Sequence, residues 1–378
     1  MRILYIAPGD NPHTWKWVGW FGRKYPGEIG LIPYEAPVPE GKLPGVEIIG
    51  KVIPIFRIGS LDSWMKVGAV KSIVRKFKPS LLHALWAYGS GTYGARSGHH
   101  PFLLSPWGTD ITVYPSRSGF KGSIQRRLVL EALRKADKIT ATSRYLADAI
   151  HGLVPDRDMP DLFPYGVDTS VFDPNTVKDS LEFPWPDGAP SGPGALTVGF
   201  FKSLEHTYGP DILIQAIAVA AKELRQVRCV IAGSGELLEK LKRLAETLGV
   251  EKRICFPGRI PHEKMPAALK GIDIFAMPSR YEVFGVAALE ASAMGKPVIA
   301  SKKWGIVEVV EDGVTGILVV LDSAEVLAEQ IVRLGRDPAA RARMGAAGRE
   351  FVKGNFEFEE IMQRADRYCA ELIESHKP

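Results

Sequence analysis

The sequence predicts an α/β protein built from two doubly wound parallel sheets, and three observations carry that prediction. Short apolar runs alternate with amphipathic helical stretches along both halves of the chain. A Pro- and Gly-rich interruption divides the alternation into two similar parts. The length of 378 residues, with 46% hydrophobic content, suffices for two or three buried cores.

The candidate strands of the first half are residues 3–7, 81–84, 102–105 and 138–141, and those of the second are 196–200, 228–232, 254–256, 272–277 and 297–301. Each is followed by turn residues and then a helical pattern, which is the order expected of a parallel sheet wound on both faces. Residues 174–195 contain too many Pro and Gly for a regular element. The expected organisation is therefore a first domain over 1–173, a linker over 174–194 and a second domain over 195–355. A final helical segment follows over 356–378. Two such domains facing one another across a linker would form a cleft, a preferred place for ligands.

Composition narrows the function classes. The three cysteines, Cys229, Cys255 and Cys369, have neither disulfide-framework nor zinc-site spacing, which fits a reducing compartment. Met1 leads directly into a strand-like run, and no stretch of about 18 apolar residues occurs, so the expectation is a soluble cytoplasmic protein. The net charge of +5 is unevenly spread: residues 1–170 hold 22 Lys and Arg against 14 Asp and Glu, and the remainder holds 26 against 29. A basic first half suits either an anionic partner or a merely solvated basic face. No nucleic-acid-reading motif accompanies it, so nucleic acid is not expected as a partner.

The most informative stretch is 277–301. A strand ends at Met277, a loop carries Glu282, and a helix is expected from Phe284 that holds Glu290 and ends before Gly295 and Pro297. The amides of Phe284, Gly285 and Val286 would then stand at a helix N-terminus, where the dipole and unpaired N–H groups favour a diphosphate. If Glu282 and Glu290 both lay on that helix, eight residues would separate them by about 12 Å along its axis. Spacing alone also describes an ordinary solvated helix face.

The segment 278–301, with Glu282 and Glu290 inside it, resembles the donor signature of the retaining GT4-type glycosyltransferases. The blocks Ile231-Ala-Gly-Ser-Gly-Glu236, Phe256-Pro-Gly-Arg-Ile-Pro-His-Glu-Lys-Met265 and Trp304-Gly-Ile-Val-Glu-Val-Val-Glu-Asp-Gly-Val-Thr-Gly-Ile-Leu318 are similar to family blocks in the same order. The resemblance runs over nearly the whole chain and implies the GT-B architecture of two Rossmann-like domains. It assigns Glu282 to the donor sugar and Glu290 to the ribose hydroxyls, with Phe284, Gly285, Val286 and Arg259 in the nucleotide-binding set. The family usually carries Arg and then Lys after the first strand of this domain. Here Lys202 stands near the Arg position and Tyr208 replaces the Lys, leaving Lys302, Lys303 or His206 as compensating cations. Trp304 replaces the first of two glycines.

The resemblance also implies a mechanism in which the departing phosphate accepts the acceptor's proton, so no carboxylate nucleophile is needed. No clear Asp-x-Asp metal motif appears, and neither a metal nor a resident cofactor is expected.

The first half is less informative. His13 follows the first strand and resembles part of a His-Thr pair of some relatives, although a loop histidine is often structural. His83-Ala-Leu-Trp86 and Ser105-Pro-Trp-Gly-Thr-Asp-Ile111 resemble family blocks at strand ends. Trp107 replaces a family His and either stacks on a sugar or packs internally; Asp110 either binds acceptor or orients backbone. Tyr165 replaces the usual Asn in the turn Pro164-Tyr-Gly-Val-Asp168.

Residues 63–78 place Trp64, Val67, Val70, Val74 and Phe77 near helical spacing, with Lys66, Lys71, Arg75 and Lys76 elsewhere around the wheel. Such a helix either docks on anionic lipid at the inner membrane face or packs its stripe against a sheet. The resulting expectation is a transferase that uses a UDP- or GDP-linked sugar and a carbohydrate or lipid-linked acceptor, as in glycolipid or exopolysaccharide assembly. The alternatives are a nucleotide-sugar 2-epimerase of the same architecture and a non-catalytic nucleotide-sugar binder, the latter motivated by Trp107, Tyr208 and Trp304.

Overall fold

The computed structural model describes residues 1–54, 61–116, 118–192, 194–320 and 322–377, with the side chains of 61–63 left aside. It divides into two compact units, Met1–Pro164 with Glu360–Pro378, and Tyr165–Glu359.

The first unit is built on a seven-stranded parallel sheet: β1 (Ile3–Pro8), β2 (Ile29–Tyr34), β3 (Val46–Ile48), β4 (Leu81–Leu85), β5 (Phe102–Ser105), β6 (Lys138–Ala141) and β7 (Asp161–Leu162). Its order is β3-β2-β1-β4-β5-β6-β7. All six residues of β1 are buried, because strands on both sides and helices on both faces exclude water. The helix over Pro12–Lys24 starts where Asn11 Oδ1 accepts the His13 amide at 2.8 Å, and Pro12 tolerates the first-turn position that lacks a carbonyl partner.

Strand β2 escaped the sequence reading because Gly30 and Pro33 interrupt its apolar run, and β3 and β7 are too short to leave a pattern. In the helix over Leu61–Phe77, Val67, Val70, Val74 and Phe77 form a buried stripe. Trp64 does not join it. Its side chain is 53% exposed, and its ring lies 4.7 Å from the Arg96 guanidinium.

The second unit holds a six-stranded parallel sheet: β8 (Leu196–Phe201), β9 (Val227–Ala232), β10 (Ile254–Cys255), β11 (Ile274–Met277), β12 (Val298–Ser301) and β13 (Gly316–Val319). The order is β10-β9-β8-β11-β12-β13. Two apolar clusters pack on the sheet, one including Val198, Phe200 and Ile217, the other Phe201, Phe275 and Leu289.

Two boundaries differ from the sequence expectation. The division between units falls after Pro164 rather than after residue 173, since Val167 and Phe172 belong to the second unit's core. The 174–194 stretch is also no free linker. Leu181, Phe183 and Trp185 pack on that core, the Leu181 amide donates to the Ala267 carbonyl at 2.9 Å, and the Arg228 guanidinium sits 4.3 Å over Trp185. Proline and glycine prevent regular structure without preventing side-chain packing. The final helix, Phe358–Glu374, groups from Glu360 onward with the first unit, where Lys24 and Tyr25 bind Asp366.

Phe183→Ala is expected to lower the stability of the second unit by about 2 kcal/mol, a half-buried version of the cost of truncating a core aromatic. A chemical denaturation curve checks it; no change would return 174–194 to the status of a tether.

Candidate functional site

In each sheet the strand order reverses once, between β1 and β4 and between β8 and β11. At such a switch point the loops leaving the two central strands run to opposite sides, opening a crevice at the carboxyl edge of the sheet. Lys202 follows β8 directly and Glu282 lies in the loop after β11, so the second unit's switch point brings together residues 80 positions apart in sequence. The Lys202 ammonium forms an ion pair with the Glu282 carboxylate, and the two side chains are only 15% and 12% exposed.

Tyr208, which stands where the family carries Lys, supplies no charge but places its ring 4.2 Å from the Lys202 ammonium. Burial pushes the Tyr208 phenol up, so its hydroxyl stays neutral. The backbone of Lys202 is approached closely by Gly233, where an added Cβ would lie 1.9 Å from the Lys202 carbonyl oxygen. The Gly-Ser-Gly of the 231–236 block is thus explained by close packing against the loop that carries the cation.

The helix after β11 spans Val286–Ala293 and begins two residues later than the sequence suggests. Gly285 breaks it. Its φ of +106° lies in the left-handed region, and a Cβ there would lie 2.5 Å from Ile306 Cδ1. Glu282 is consequently a loop residue, and the helical spacing to Glu290 does not apply. Phe284, Gly285 and Val286 form the entry to the helix; the Ala288 and Leu289 amides donate to the Gly285 carbonyl at 3.0 and 3.2 Å, so the amides that precede them are the ones without an intrahelical acceptor. Glu290, on the second helical turn, is 8% exposed with Oε1 3.9 Å from His262 Nδ1. His262 was not singled out in the sequence, though it sits inside the 256–265 block. Arg259, three residues before it, is exposed.

Arg280 is a second residue the sequence reading passed over. It binds both carboxylate oxygens of Asp211, at 2.8 and 2.7 Å, and reaches Asp322 at 2.7 Å and the His206 carbonyl at 2.8 Å. This bidentate clamp fixes the start of the Glu282 loop to the turn that carries Tyr208. Of the compensating cations, Lys302 pairs with Asp312 at 2.9 Å and Lys303 lies 4.5 Å over the Trp304 ring. Trp304 has φ +67°, a left-handed backbone that glycine adopts freely and tryptophan does not. Its indole Nε1 donates to the Arg280 carbonyl at 2.8 Å, and its ring packs 5.2 Å from Tyr281.

In the first unit the switch point carries His13 after β1, Trp86 after β4 and Trp107 after β5. The His13 and Trp107 rings are 5.9 Å apart, and Trp107 meets Trp86 at 6.0 Å, both edge to face. Asp110 is 0% exposed. Its carboxylate accepts the amides of Ala87 at 2.5 Å, Gly108 at 2.8 Å and Trp107 at 3.2 Å. It orients backbone, which is one of the two readings the sequence left open for it. Burial raises its carboxyl to about 6 despite those amides. His83, also fully buried, is pushed down to about 3 by desolvation and hydrogen-bonds Ser105 Oγ at 2.8 Å as a neutral ring.

Among the described residues, no group of three or more His, Cys, Asp or Glu converges as a metal site. An Asp-x-Asp does occur, Asp156-Arg-Asp158, but both carboxylates are exposed on the first unit, and Arg157 turns to the Arg134 and Asp137 carbonyls. Among the described residues, no helix is long and apolar enough to cross a membrane.

Comparison with known proteins agrees with this layout. Residues 187–351 match the family model described as glycosyl transferases group 1, and residues 2–143 match the glycosyl transferase 4-like model. A GDP-mannose-dependent alpha-(1-6)-phosphatidylinositol monomannoside mannosyltransferase from Mycolicibacterium smegmatis is 33% identical over 232 residues, 59% of this chain and 59% of that protein. A D-inositol 3-phosphate glycosyltransferase from Corynebacterium efficiens is 34% identical over 54% of this chain and 49% of its own length. The chain thus spans about half to three fifths of the curated relatives it matches. Among solved structures, Anabaena Alr3699/HepE in complex with UDP aligns over 98% of this chain and 100% of its own at TM-score 0.78 and 21% identity. Sucrose-phosphate synthase from Thermosynechococcus elongatus aligns over 99% and 100% at TM-score 0.79 and 20% identity. The fold is GT-B.

Two outcomes are expected from this geometry. Trp304→Ala keeps the left-handed backbone and loses the indole bond, whereas Trp304→Gly removes the strain, so the glycine variant should be the more stable by about 1 kcal/mol; their melting temperatures decide it. Asp110 has a folded-state pKa above its unfolded value, so its contribution to stability is full below pH ~4 and lost as pH rises towards 6. The melting temperature of wild type should therefore fall relative to that of Asp110→Asn across that window, and parallel pH profiles would refute it.

Proposed function

Since this chain belongs to the group 1 glycosyl transferases, we propose that it moves a sugar from a nucleotide-diphosphate donor, UDP- or GDP-linked, to an acceptor hydroxyl, retaining the anomeric configuration and using no resident metal ion. The observation that carries the reading is the Lys202–Glu282 pair at the β8/β11 switch point, beside the entry to the helix that bears Glu290.

The nucleotide ribose hydroxyls donate to the Glu290 carboxylate, and the diphosphate lies against the amides that open the Val286–Ala293 helix. Lys202 faces the charge that develops on the departing phosphate, where a fixed cation in a half-buried site lowers the barrier because it needs no reorganisation. Glu282 receives the sugar hydroxyls. The acceptor oxygen bonds to the anomeric carbon as the bond from that carbon to phosphate oxygen breaks, and the acceptor's proton passes to the leaving phosphate. Tyr208 holds the Lys202 ammonium through its ring, which supports turnover with one cation fewer than the family usually carries.

A lipid-linked or carbohydrate acceptor is supported by the phosphatidylinositol monomannoside and inositol phosphate named for the relatives. Peripheral contact of the basic first unit with an anionic inner membrane face is the accompanying reading. It is supported by the exposed Trp64, Met65 and Phe120 on helices that also bear Lys66, Lys71, Lys121 and Arg126.

A thermal-shift series with UDP, GDP, ADP, TDP and CDP and their common sugar conjugates, each with and without EDTA, tests the donor reading. Stabilisation by one nucleotide family, unaffected by EDTA, is expected, since a ligand that binds the native state raises its apparent stability. Glu290→Ala should weaken nucleotide binding about tenfold, and Glu282→Ala should lower turnover about 100-fold. Wild-type behaviour of both variants would sink the site assignment.

A further inference from the structure

Trp86 combines two features that packing alone does not require. Its backbone has φ +103° and ψ +124°, whereas the other four described non-glycine residues with positive φ, Glu35, Lys78, Trp304 and Asp322, lie between +50° and +67°, in or close to the left-handed helical well. A side chain at φ near +100° clashes with its own backbone, and such strain persists only where surrounding structure over-determines it. Its indole is nevertheless only half-buried. A bulky aromatic thus stands, partly exposed, on a backbone that suits glycine.

The over-determining contact is the carboxylate of Asp110. One oxygen accepts the amide of Ala87, the residue after Trp86, and the other accepts the amides of Trp107 and Gly108. A single buried group therefore fixes the backbone beneath both tryptophans. The Trp86 amide adds a bond to the Ser105 carbonyl at 3.0 Å, two residues before Trp107. The two indoles meet at 6.0 Å with ring planes 89° apart, and the Tyr114 ring lies 6.4 Å from that of Trp86. His13 borders Trp107 at 5.9 Å. All of these side chains are half-buried and stand at the carboxyl edge of the sheet, at or next to the β1/β4 switch point, where ligands of doubly wound sheets bind.

Two rigid indoles set at a right angle make a corner. Aromatic faces carry negative charge density and attract the weakly positive C–H bonds that line one face of a saturated polyol ring, while the ring's equatorial hydroxyls point sideways to polar groups. A flexible acyclic polyol has no such face. We infer that Trp86 and Trp107 form an aromatic corner that recognises the acceptor as a polyhydroxylated six-membered ring, a pyranose or an inositol, with Asp110 as the positioning residue that fixes the backbone beneath both indoles. The inference rests on the transferase reading for calling that ring the acceptor; the binding of the ring does not.

The test is saturation-transfer NMR on the full chain with methyl α-D-mannopyranoside, myo-inositol and glycerol as probes, alongside calorimetric binding of UDP and GDP. Ring C–H protons of the mannoside or of inositol should receive saturation from the protein, and glycerol should not. Trp86→Gly, which relaxes the backbone and so should fold, is expected to reduce the ring signal at least fivefold, and Trp86→Phe to retain most of it. Trp107→Ala should give the same loss if the Trp86 variant is poorly folded. Nucleotide binding, a property of the second unit, should be unchanged in all three. Ring signals that survive both Trp86→Gly and Trp107→Ala, or their absence from wild type, or equal saturation of glycerol, would overturn the aromatic corner. Ring binding that depends on Trp86 in a protein that binds no nucleotide would keep the corner and remove the transferase reading instead.

Discussion

The reversal of strand order within each parallel sheet is the constraint on which the candidate chemistry depends. A strand order that ran in one direction only would send every loop at the carboxyl edge to the same side and leave no gap between neighbours. Because β8 and β11 are adjacent but their onward chains diverge, the loop after one can deliver Lys202 and the loop after the other Glu282 without either being covered. The first unit repeats the arrangement with β1 and β4, and His13 and Trp86 stand at its mouth.

Neither loop is held by the sheet alone. Arg280 ties the Glu282 loop to the Tyr208 turn through Asp211, and the Gly305 amide donates to the Glu282 carbonyl at 3.0 Å. Asp110 does the corresponding work in the first unit with three backbone amides. The two devices differ in cost. The Arg280–Asp211 pair is partly exposed and mutually neutralising, while Asp110 is fully buried, and that burial forces its carboxyl up to about 6 despite the amides it accepts. That cost is offset by three backbone amides that find their acceptor in one carboxylate.

Much of the site was legible because the residues carrying it lie in contiguous blocks. Glu282, Phe284, Gly285 and Glu290 fall within nine residues of one strand–loop–helix passage, and the resemblance to a family pattern could attach roles to them. Lys202 was legible only through the resemblance, which sets it near a cationic position of the family after the first strand of this domain. Arg280 and His262 were not, although both lie in quoted blocks, because nothing in their local sequence says that Asp211 or Glu290 will be opposite them. For Asp110 the strand-end block left backbone orientation and acceptor binding both open, and its complete burial among amides is a through-space fact that the block does not carry. The 174–194 stretch was misjudged for a related reason, since Pro and Gly content reports backbone regularity and says nothing of whether Phe183 and Trp185 find a core to pack on.

What the sequence by itself determined was everything that depends on local pattern: the alternation of strand and helix, two sheets, the loop and helix around Glu282 and Glu290, and the family resemblance. What only the tertiary structure decided was which residues distant in the chain share an environment. Strand order, the Lys202–Glu282 and Arg280–Asp211 pairs, the burial of Asp110 and the corner formed by Trp86 and Trp107 all fall in that class. The physical reason is that periodicity and turn chemistry act over a few residues, while ion pairing, desolvation and ring contact act through space. They depend on a strand order that no local pattern encodes.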